Sequence, residues 1–445
     1  MKFGGTSVAS AAAMERVIHI IRNNLQIQLV VVVSAIAGMT KDLVKLYDAA
    51  VQNDSIDCRN LLAYIISNHL TIAKEIINDE LLYQEAAKLI VQYENQMFVI
   101  ITELFQGRNL QKSYPALLAY GELLSSSIIY YAMLDRDIRV KLTDVRDLII
   151  TDDNYVNAKP LLDIISRTVP LALKQEITEG YTIITQGFIA ANQEKDTTIL
   201  GFEGSDYTAS LIGMAMDAEE IQIWTDVDGI MTSDPKDIPT ARLIPSLSFE
   251  EAEELSCFGA KIIHPSTVAP AAQKNIPIRI LNSLNIDINQ SGTVIYQNST
   301  PETAAIAFKE NITLLKIKKF SLVDEILFQN QVSHWVQSLN TISPHIIQMS
   351  PEIILVTFPK AVFPVNHSVC LNNNDIASYE YFDGISMICL LGKLWNSPEK
   401  VIHTLGDNLK VEMLFRSITS LSLILIVAKD QLQPIIRRLH EVMVR

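Results

Sequence analysis

The stretch Lys2-Phe3-Gly4-Gly5-Thr6-Ser7 decides the fold, because it joins a short strand to a helical segment through two glycines. Glycines allow a backbone to approach an anion closely, and the amides at a helix N-terminus favour negative charge. Lys2 adds a compact positive charge at the end of the strand. We therefore predict a phosphate cradle, although the P-loop signature is absent. The alternative is an ordinary strand–turn–helix connection with a Thr or Ser cap.

A second candidate loop follows the apolar run from Leu29 to Ser34. Such a β-branched run is typical of a strand buried on both faces of a parallel sheet. Small residues then lead to Thr40, so that the loop has room for a ligand near the hydroxyl groups of Ser34 and Thr40. Tight packing of a turn explains the same residues equally well. Glu122 begins a helix after a glycine, where the helix dipole alone favours a glutamate.

Two further glycines precede Ser205 and Asp206, ahead of an apolar helix predicted from Ala209 to Met216. Asp206 could simply cap that helix, hold Mg²⁺ or orient a lysine beside phosphates. An Asp-rich turn spans Trp224 to Lys236 and follows a predicted strand, which is a suitable place for a ribose and base. Lys261 stands among apolar residues, and since buried lysines are rare unless paired, it suits an anionic partner.

Strands and helices alternate in the first part of the chain. A helix is predicted over Val8–Asn24, and residues 41–110 are predicted to be mostly helical. The predicted strands are Leu29–Ser34, Val140–Leu142, Tyr181–Thr185, Ile221–Trp224 and Ile278–Leu281. This alternation predicts an α/β fold, a three-layer sandwich with a mainly parallel sheet, in which ligands bind at the carboxyl ends of the strands.

Glycine usage changes near residue 300, because no glycine lies between Gly292 and Gly384. We therefore predict one domain over residues 1–300 and a second over 301–445. In the second, the strand–helix–strand–strand–helix–strand order is ferredoxin-like, and two such modules fit its length. Its predicted strands are Thr313–Ile317, Ile353–Phe358, Ser386–Leu391 and Ser420–Val427, and its predicted helices are Val332–Leu339, Pro398–Leu405 and Gln431–Val442.

Composition excludes several classes of protein. The 445 residues are 49% hydrophobic and carry a formal net charge of −14, which argues against disorder and against nucleic-acid binding. The longest apolar runs are about half of the roughly 20 residues that a membrane-spanning helix needs. The four cysteines are scattered, with no zinc or disulfide pattern, so we expect a cytoplasmic protein without a membrane or nucleic-acid partner.

Taken in order, these motifs resemble those of the aspartate kinases, members of the amino-acid kinase family, over the whole chain. The resemblance implies a kinase domain followed by paired ACT regulatory modules. It also implies transfer of the ATP γ-phosphoryl group to the side-chain carboxylate of L-aspartate, giving 4-phospho-L-aspartate. That product is the first intermediate in the biosynthesis of lysine, threonine and methionine, and often of diaminopimelate. ATP and Mg²⁺ are the implied cofactors, with Mg²⁺ held mostly by nucleotide phosphates and water rather than by protein residues.

The resemblance also implies roles for individual residues. Lys2 and Asp206 are the implied catalytic residues, with Lys2 neutralising the transferring phosphoryl group. The implied acceptor-binding residues are Ser34, Thr40, Glu122 and Ser205, with Glu122 binding the ammonium group of aspartate. The implied ATP-binding residues are Lys2, Phe3, Gly4, Gly5, Thr6, Ser7, Thr225, Asp226, Met231, Lys236 and Lys261.

The chain departs from the family pattern at several positions. Phe202 stands where the family commonly has an arginine that contacts the substrate carboxylate, and Lys195 is one candidate substitute. Met231 and Lys236 stand where tyrosine and arginine are frequent. The first ACT turn, near Phe320 to Asp324, lacks the usual glycine. The corresponding turn of the second module has this glycine, Gly392.

These departures leave alternatives open. The resemblance implies feedback by lysine or threonine at the ACT region, and a homodimer or higher homo-oligomer. The ACT modules could instead serve only in dimerisation. The protein could also phosphorylate a different amino acid or carboxylate, or it could be a non-catalytic, amino-acid-binding regulator.

Overall fold

The computed structural model describes residues 1–258, 263–285, 292–297, 304–320, 323–338, 345–359, 376–395, 397–406, 408–417, 419 and 421–444. The chain forms two compact units. The first comprises Met1–Ile230 and Ile263–Ser299, and the second comprises Met231–Ile262 and Thr300–Arg445. The second unit thus includes residues 231–262, which the sequence analysis assigns to the first domain.

The strands of the described residues are β1 (Lys2–Phe3), β2 (Val30–Val33), β3 (Val140–Thr143), β4 (Ile150–Thr151), β5 (Thr182–Gln186), β6 (Ile189–Asn192), β7 (Thr197–Ile199), β8 (Ile221–Thr225), β9 (Ser246–Leu247), β10 (Ile278–Asn282), β11 (Thr293–Ile295), β12 (Ala305–Lys319), β13 (His345–Ser350), β14 (Ile353–Pro359), β15 (Ile376–Leu391), β16 (Met413–Arg416) and β17 (Ser422–Ala428). The helices are α1 (Ala11–Arg22), α2 (Met39–Val51), α3 (Ser55–Ile76), α4 (Glu80–Phe105), α5 (Leu110–Leu118), α6 (Tyr120–Leu134), α7 (Leu162–Thr178), α8 (Gly204–Ala215), α9 (Phe249–Cys257), α10 (Pro265–Lys274), α11 (Glu325–Ser338), α12 (Pro398–Leu405) and α13 (Leu432–Val444).

A mainly parallel sheet forms the centre of the first unit. Its strands lie in the order β3-β5-β2-β1-β8-β10-β11, and of these pairings only β10 with β11 is antiparallel. Helices α6, α7 and α8 pack against these strands. The run Val31–Val33 is wholly buried, as expected for a strand covered on both faces. The predicted α/β class with a mainly parallel sheet is therefore confirmed.

The shortest strand of this sheet occupies its middle. β1 has two residues, but it pairs with β2 on one side and with β8 on the other. Lys2 lies opposite Val32 and Ile223, and Phe3 lies opposite Val33 and Trp224. The Phe3 and Trp224 rings stack with centroids 5.9 Å apart. Neighbouring strands thus fix the start of the chain, although the strand itself is very short.

The region over 41–110 contains the long helices α2, α3 and α4, and Asp54 and Asp79 cap the last two through their side chains. One apolar stretch of the described residues, Leu110–Leu134, has the length and composition of a membrane-spanning helix. It consists of α5 and α6, and 83% of its apolar window is buried within the protein. This stretch is therefore part of the core of the first unit.

The second unit contains one six-stranded antiparallel sheet, ordered β13-β14-β12-β15-β17-β16. β12 and β15 are much longer than the segments predicted inside them, because they pair with each other from Ala305–Leu391 at one end to Lys319–Ile376 at the other. At one end of this long pair β14 pairs with β12, and at the other end β17 pairs with β15. Both ferredoxin-like modules therefore share these two strands.

Each module has its own hydrophobic core. The first core lies beneath α11 and includes Phe328, Val332 and Trp335. The second surrounds the fully buried Trp395 and includes α12 and α13. The turn predicted to lack a glycine, near Phe320 to Asp324, includes Ser321 and Leu322, which lie outside the described residues.

Candidate active site

Loops that follow four neighbouring strands meet at one edge of the first unit's sheet. β1, β2, β5 and β8 are parallel, so their carboxyl ends lie at that edge. Ligands bind at such edges in open α/β sheets. The glycine stretch follows β1, Ser34 follows β2, Gly187 follows β5, and Thr225 ends β8. The topology thus brings together motifs that lie far apart in the sequence.

The glycine stretch packs closely against the loop after β2. A Cβ atom added to Gly5 would lie 2.9 Å from the backbone oxygen of Ala35, so no larger residue fits without a shift. Residues Gly5–Val8 form a short 3-10 helix. Helix α1 begins only at Ala11, with Ser10 as its cap. The alternative prediction of a Thr or Ser cap agrees with Ser10, whereas Thr6 and Ser7 lie inside the 3-10 turn.

Lys2 and Asp206 form a buried ion pair beside this stretch. The Lys2 Nζ and Asp206 Oδ1 atoms are 2.5 Å apart, and the two side chains are only 11% and 9% exposed. A Cβ atom on Gly4 would lie 3.5 Å from the Lys2 Nζ atom, so the ammonium group lies against the glycine backbone. Of the three roles considered for Asp206, this ion pair supports the orientation of a lysine, which remains a prediction.

The first turn of α8 holds Asp206 in place. The helix begins at Gly204 rather than at the predicted Ala209, so Asp206 lies inside it and Glu203 is its N-cap residue. A Cβ atom on Gly187 would lie 2.5 Å from the Cβ atom of Ser205. The loop after β5 therefore packs directly against the start of α8, and this contact sets the position of the Asp206 carboxylate.

Glu122 is a buried carboxylate at the start of α6. Its Oε1 atom accepts a hydrogen bond from the backbone amide of Ala35 at 3.2 Å. Its Oε2 atom is buried and has no hydrogen-bond partner among the described residues. Burial raises the pKa of Glu122 to about 8, although its backbone hydrogen bonds act in the opposite direction. The free oxygen is therefore available to a ligand that carries a donor or a positive charge.

Two of the other predicted acceptor-binding residues, Ser34 and Thr40, follow β2. The backbone oxygen of Ser34 accepts a hydrogen bond from the Ser125 hydroxyl group at 2.7 Å, which connects the loop after β2 with α6. Thr40 lies in the first turn of α2, after Gly38 in a left-handed conformation with φ +86°. The start of the loop after β2 is thus bonded to α6 at Glu122 and Ser125, and Thr40 lies at the end of the same loop.

Thr225 and Asp226 lie at the end of β8, and the Thr225 hydroxyl group donates to the Asp226 carboxylate at 3.2 Å. Ser283 connects this segment to the glycine stretch, because its hydroxyl group donates to the Thr225 backbone oxygen at 3.0 Å. The Ser283 and Ser7 hydroxyl groups are also 2.7 Å apart. The sequence analysis missed Ser283, since nothing in its local pattern distinguishes it.

Three predicted nucleotide contacts cannot be grouped with these residues. Met231 and Lys236 belong to the second unit, where Met231 pairs with Leu243 and the Lys236 backbone amide donates to Asp234 at 2.9 Å. Lys261 lies outside the described residues. Their assignment to ATP remains a prediction.

Phe202 points outwards at the family arginine position. Its side chain is 71% exposed, and its ring lies edge-on to His264 with centroids 6.1 Å apart. Lys195, the candidate substitute, is exposed in the turn between β6 and β7. No described contact joins Lys195 to Phe202.

Glu203 is an unexpected second carboxyl group next to the ion pair. It adopts a left-handed conformation, φ +54°, which is uncommon for a residue with a long side chain. Its Oε2 atom is buried without a hydrogen-bond partner among the described residues. Burial and the Asp206 carboxylate raise the pKa of Glu203 to about 7, while Lys2 and the His264 backbone act to lower it. The sequence alone had no means of placing this carboxyl group, which follows Phe202 directly.

The comparisons with known proteins agree with this geometry. The profile of the amino acid kinase family matches residues 1–282. The chain therefore belongs to the amino acid kinase family. Within that family, its similarity over nearly its whole length is to the aspartokinases, and its class is that of an ATP-dependent phosphotransferase with a carboxyl acceptor.

Three curated relatives illustrate this similarity. Lysine-sensitive aspartokinase 3 of Escherichia coli is 29% identical over 99% of this chain and 97% of its own length. The chloroplastic aspartokinase 3 of Arabidopsis thaliana is 30% identical over 99% of this chain and 80% of its own length. The bifunctional aspartokinase/homoserine dehydrogenase of Buchnera aphidicola is also 30% identical. The chain spans 56% of the length of that relative.

Two solved structures of E. coli aspartokinase III resemble the whole chain, each at 27% sequence identity and covering 100% of this chain and 99% of theirs. The complex with aspartate and ADP, in the R-state, has a TM-score of 0.83. The complex with lysine and aspartate, in the T-state, has a TM-score of 0.78. The predicted pairing of a kinase domain with ACT modules is thus confirmed.

Proposed function

We propose that this protein transfers the γ-phosphoryl group of ATP to the β-carboxylate of L-aspartate, giving 4-phospho-L-aspartate and ADP. The observation that carries the proposal is the buried Lys2–Asp206 pair beside the glycine stretch at the carboxyl ends of the parallel strands. An ammonium group fixed by a carboxylate is a preorganised positive charge. Phosphoryl transfer depends mainly on positioning and on such electrostatic stabilisation.

The chemical step needs no strong base. The aspartate β-carboxylate is already ionised near pH 7 and has no proton to lose. One of its oxygens bonds to the γ-phosphorus, and the bond to the bridging oxygen breaks, so ADP leaves with that electron pair. Lys2 neutralises part of the negative charge while the two anions approach each other. Asp206 holds the Lys2 ammonium group in position.

The acceptor is held mainly by Glu122. Its buried Oε2 atom lacks a partner, and the ammonium group of aspartate would supply one. A positive charge at this place favours the ionised form, so binding would lower a pKa that burial raises to about 8. Ser34, Thr40 and Ser205 are the further acceptor-binding residues of the proposal.

ATP binds along the edge formed by the glycine stretch and the end of β8. Gly4 and Gly5 allow close approach of the phosphates, and Phe3, Thr6 and Ser7 flank them. Thr225 and Asp226 contact the nucleoside, a role supported by their hydrogen-bonded connection to Ser7 through Ser283. Met231, Lys236 and Lys261 complete the proposed nucleotide contacts.

Mg²⁺ enters with the nucleotide as part of the substrate. The described residues contain no cluster of three or more histidine, cysteine, aspartate or glutamate side chains that could hold a metal ion. Asp206, one of two acidic residues at the centre, is paired with Lys2. These residues therefore fit an ion held by phosphates and water, and not one resident in the protein.

The ACT-type modules regulate the kinase in this proposal. An E. coli relative is lysine-sensitive and was crystallised with lysine, so lysine or threonine is the proposed effector. We further propose a cytoplasmic homodimer or higher homo-oligomer that acts in lysine, threonine and methionine biosynthesis. Gly392, with φ +104° in the turn after β15, is the place to look for an effector contact in the second module.

One observation favours a second candidate, a kinase of the same fold for a different amino acid. Phe202 supplies no positive charge to an acceptor carboxylate, and Glu203 adds a carboxyl group beside the centre. An acceptor without a free α-carboxylate would suit this arrangement better than aspartate does.

The test is turnover of Mg²⁺-ATP with L-aspartate, with hydroxylamine trapping the acyl phosphate, alongside a panel of other amino acids. The proposal is supported if the wild type forms hydroxamate from aspartate and the Lys2→Ala variant does not. The variant Lys45→Ala is the matched control, because Lys45 forms an exposed pair with Asp42 at 2.8 Å. Product from another acid only would establish the second candidate. ATP binding without product from any acid would indicate a regulator.

A further inference from the structure

Glu203 occupies a backbone conformation that disfavours it. With φ +54° and ψ 27°, it is the N-cap residue of α8, but its side chain makes no capping hydrogen bond. Left-handed backbone costs a residue with a Cβ atom free energy, and glycine avoids this cost. A glutamate without a capping role at such a position needs another explanation, and strained residues are often found at functional sites.

Glu203 lies three residues before Asp206, at the start of the helix that holds the Lys2–Asp206 pair. The charge of Asp206 raises the pKa of Glu203 and the charge of Lys2 lowers it, so Glu203 interacts electrostatically with both groups. The third group that faces it is the backbone amide of His264, at the start of α10. The Oε2 atom is buried, but no hydrogen-bond partner among the described residues reaches it. A buried oxygen atom without a hydrogen-bond partner at the proposed reaction centre is therefore a candidate ligand-binding group.

The local charge determines which form of Glu203 is compatible with the reaction. Two ionised carboxylates beside one ammonium group leave a net negative charge where a phosphoryl group and a carboxylate must meet. If Glu203 is a neutral acid, the net charge is zero, and its O–H group can donate to an anionic oxygen. Burial raises the pKa of Glu203 to about 7, which makes the neutral form accessible near physiological pH.

We propose that Glu203 is a specificity-determining residue whose carboxyl group, as a neutral acid, donates a hydrogen bond to an anionic oxygen of a bound substrate. That oxygen belongs either to the carboxylate of the acceptor or to a phosphate of the nucleotide. The inference rests on the proposed kinase function, because it assigns Glu203 to the same centre. The proton on the Glu203 carboxyl group would thus allow a protein with a net negative charge to bind an anionic oxygen at this place.

Two substitutions separate hydrogen bonding from backbone strain. Glu203→Gln keeps a donor of the same length, so KM for both substrates should stay within about threefold of the wild type. Glu203→Gly removes the carboxyl group and relieves the left-handed backbone, so it should melt at a higher temperature. It should also raise KM for one substrate about tenfold, the usual effect of losing one hydrogen bond to a charged group. Glu194→Gln, which changes an exposed carboxylate, is the control.

The affected substrate identifies the source of the anionic oxygen. A raised KM for the acceptor indicates its carboxylate, and a raised KM for ATP indicates a phosphate. Unchanged KM values for both substrates in Glu203→Gly would overturn the proposal. It would also be overturned if Glu203→Gln were as impaired as Glu203→Gly, because the glutamine amide is an adequate donor.

Proton uptake gives a readout that strain alone would not change. At pH 8, calorimetric titrations in buffers of different ionisation enthalpy should show that the wild type takes up nearly one more proton than Glu203→Gln. The titrants are a non-hydrolysable Mg²⁺-ATP analogue and the acid that yields hydroxamate. Equal uptake by both proteins with both titrants would refute the role. If no acid yields hydroxamate, the proposed function fails, and the titration with the ATP analogue alone decides the role of Glu203.

Discussion

The Lys2 ammonium group and the Asp206 carboxylate lie 2.5 Å apart in a buried ion pair that connects the second residue of the chain to helix α8. The two residues are far apart in sequence, and they meet because β1 lies in the middle of the sheet. Removing one partner of a buried pair leaves the other charged and unpaired, which is costly. The pair is therefore a structural connection as well as the proposed reaction centre.

Replacing Lys2 by alanine should lower kcat by about 10²- to 10³-fold, the usual effect of losing one group that stabilises transition-state charge. The unpaired Asp206 should also cost about 3–5 kcal/mol of stability. Steady-state kinetics and urea unfolding measure the two effects separately. Lys45→Ala removes an exposed pair and should change stability by less than about 1 kcal/mol. A fully active Lys2→Ala enzyme would disprove the assigned role.

The stability of the protein without ligands should fall as pH rises from about 5 to about 8. Glu122 has a pKa of about 8 in the folded protein against a reference value of 4.5, so the folded state binds more protons in this range. One such group contributes a slope of at most about 1.4 kcal/mol per pH unit. Urea unfolding across this range should give a flatter profile for Glu122→Gln, whose KM for aspartate should rise. If the stability of the wild type and of Glu122→Gln depended on pH in the same way, the raised pKa of Glu122 would be contradicted.

Replacing Gly187 by alanine should reduce both stability and activity. The new Cβ atom would lie 2.5 Å from the Ser205 Cβ atom, so the start of α8 must move and take Asp206 with it. Overpacking of this kind typically costs about 1–3 kcal/mol. Thermal melts and kcat measure the two effects. The control is Gly107→Ala, where the added Cβ meets no atom within 4 Å. Only its positive φ of +67° disfavours alanine there, so some stability but no activity should be lost.

The Ser283→Ala variant should bind ATP several-fold more weakly. Ser283 connects the Thr225 backbone to the Ser7 hydroxyl group, so its loss loosens both sides of the proposed nucleotide edge. One neutral hydrogen bond is worth about 0.5–1.5 kcal/mol. Equilibrium binding of Mg²⁺-ADP measures the change, with Ser166→Ala on the exposed surface of α7 as the control. Unchanged affinity would place the nucleotide elsewhere.

Much of the first unit could be predicted from the sequence because its signals are local. The β-branched run at Val31–Val33, the glycine stretch after β1 and the apolar helical stripes are visible within short windows. The Lys2–Asp206 contact is different, since it depends on which strands become neighbours. The pattern of residues predicts both groups at the same edge of a sheet, but not their pairing.

The second unit was harder to predict because its long strands do not have a uniform pattern. β12 passes through the exposed residues Glu310 and Asn311, and β15 begins with exposed residues such as Tyr379. Apolar periodicity reveals only the buried half of each strand. Glu203 was also unpredictable, because its left-handed backbone and the direction of its side chain depend on the packing around α8 rather than on its neighbours in the sequence.

The three tryptophans of the chain occupy three different structural environments. Trp224 stacks on Phe3 at the end of β8, Trp335 lies in the core beneath α11, and Trp395 is fully buried in the other module. Proteins that retain one tryptophan each would therefore give a separate fluorescence signal from the kinase unit and from each module. Such intrinsic probes could show in real time whether an amino acid bound by one module alters the nucleotide edge, without any added label.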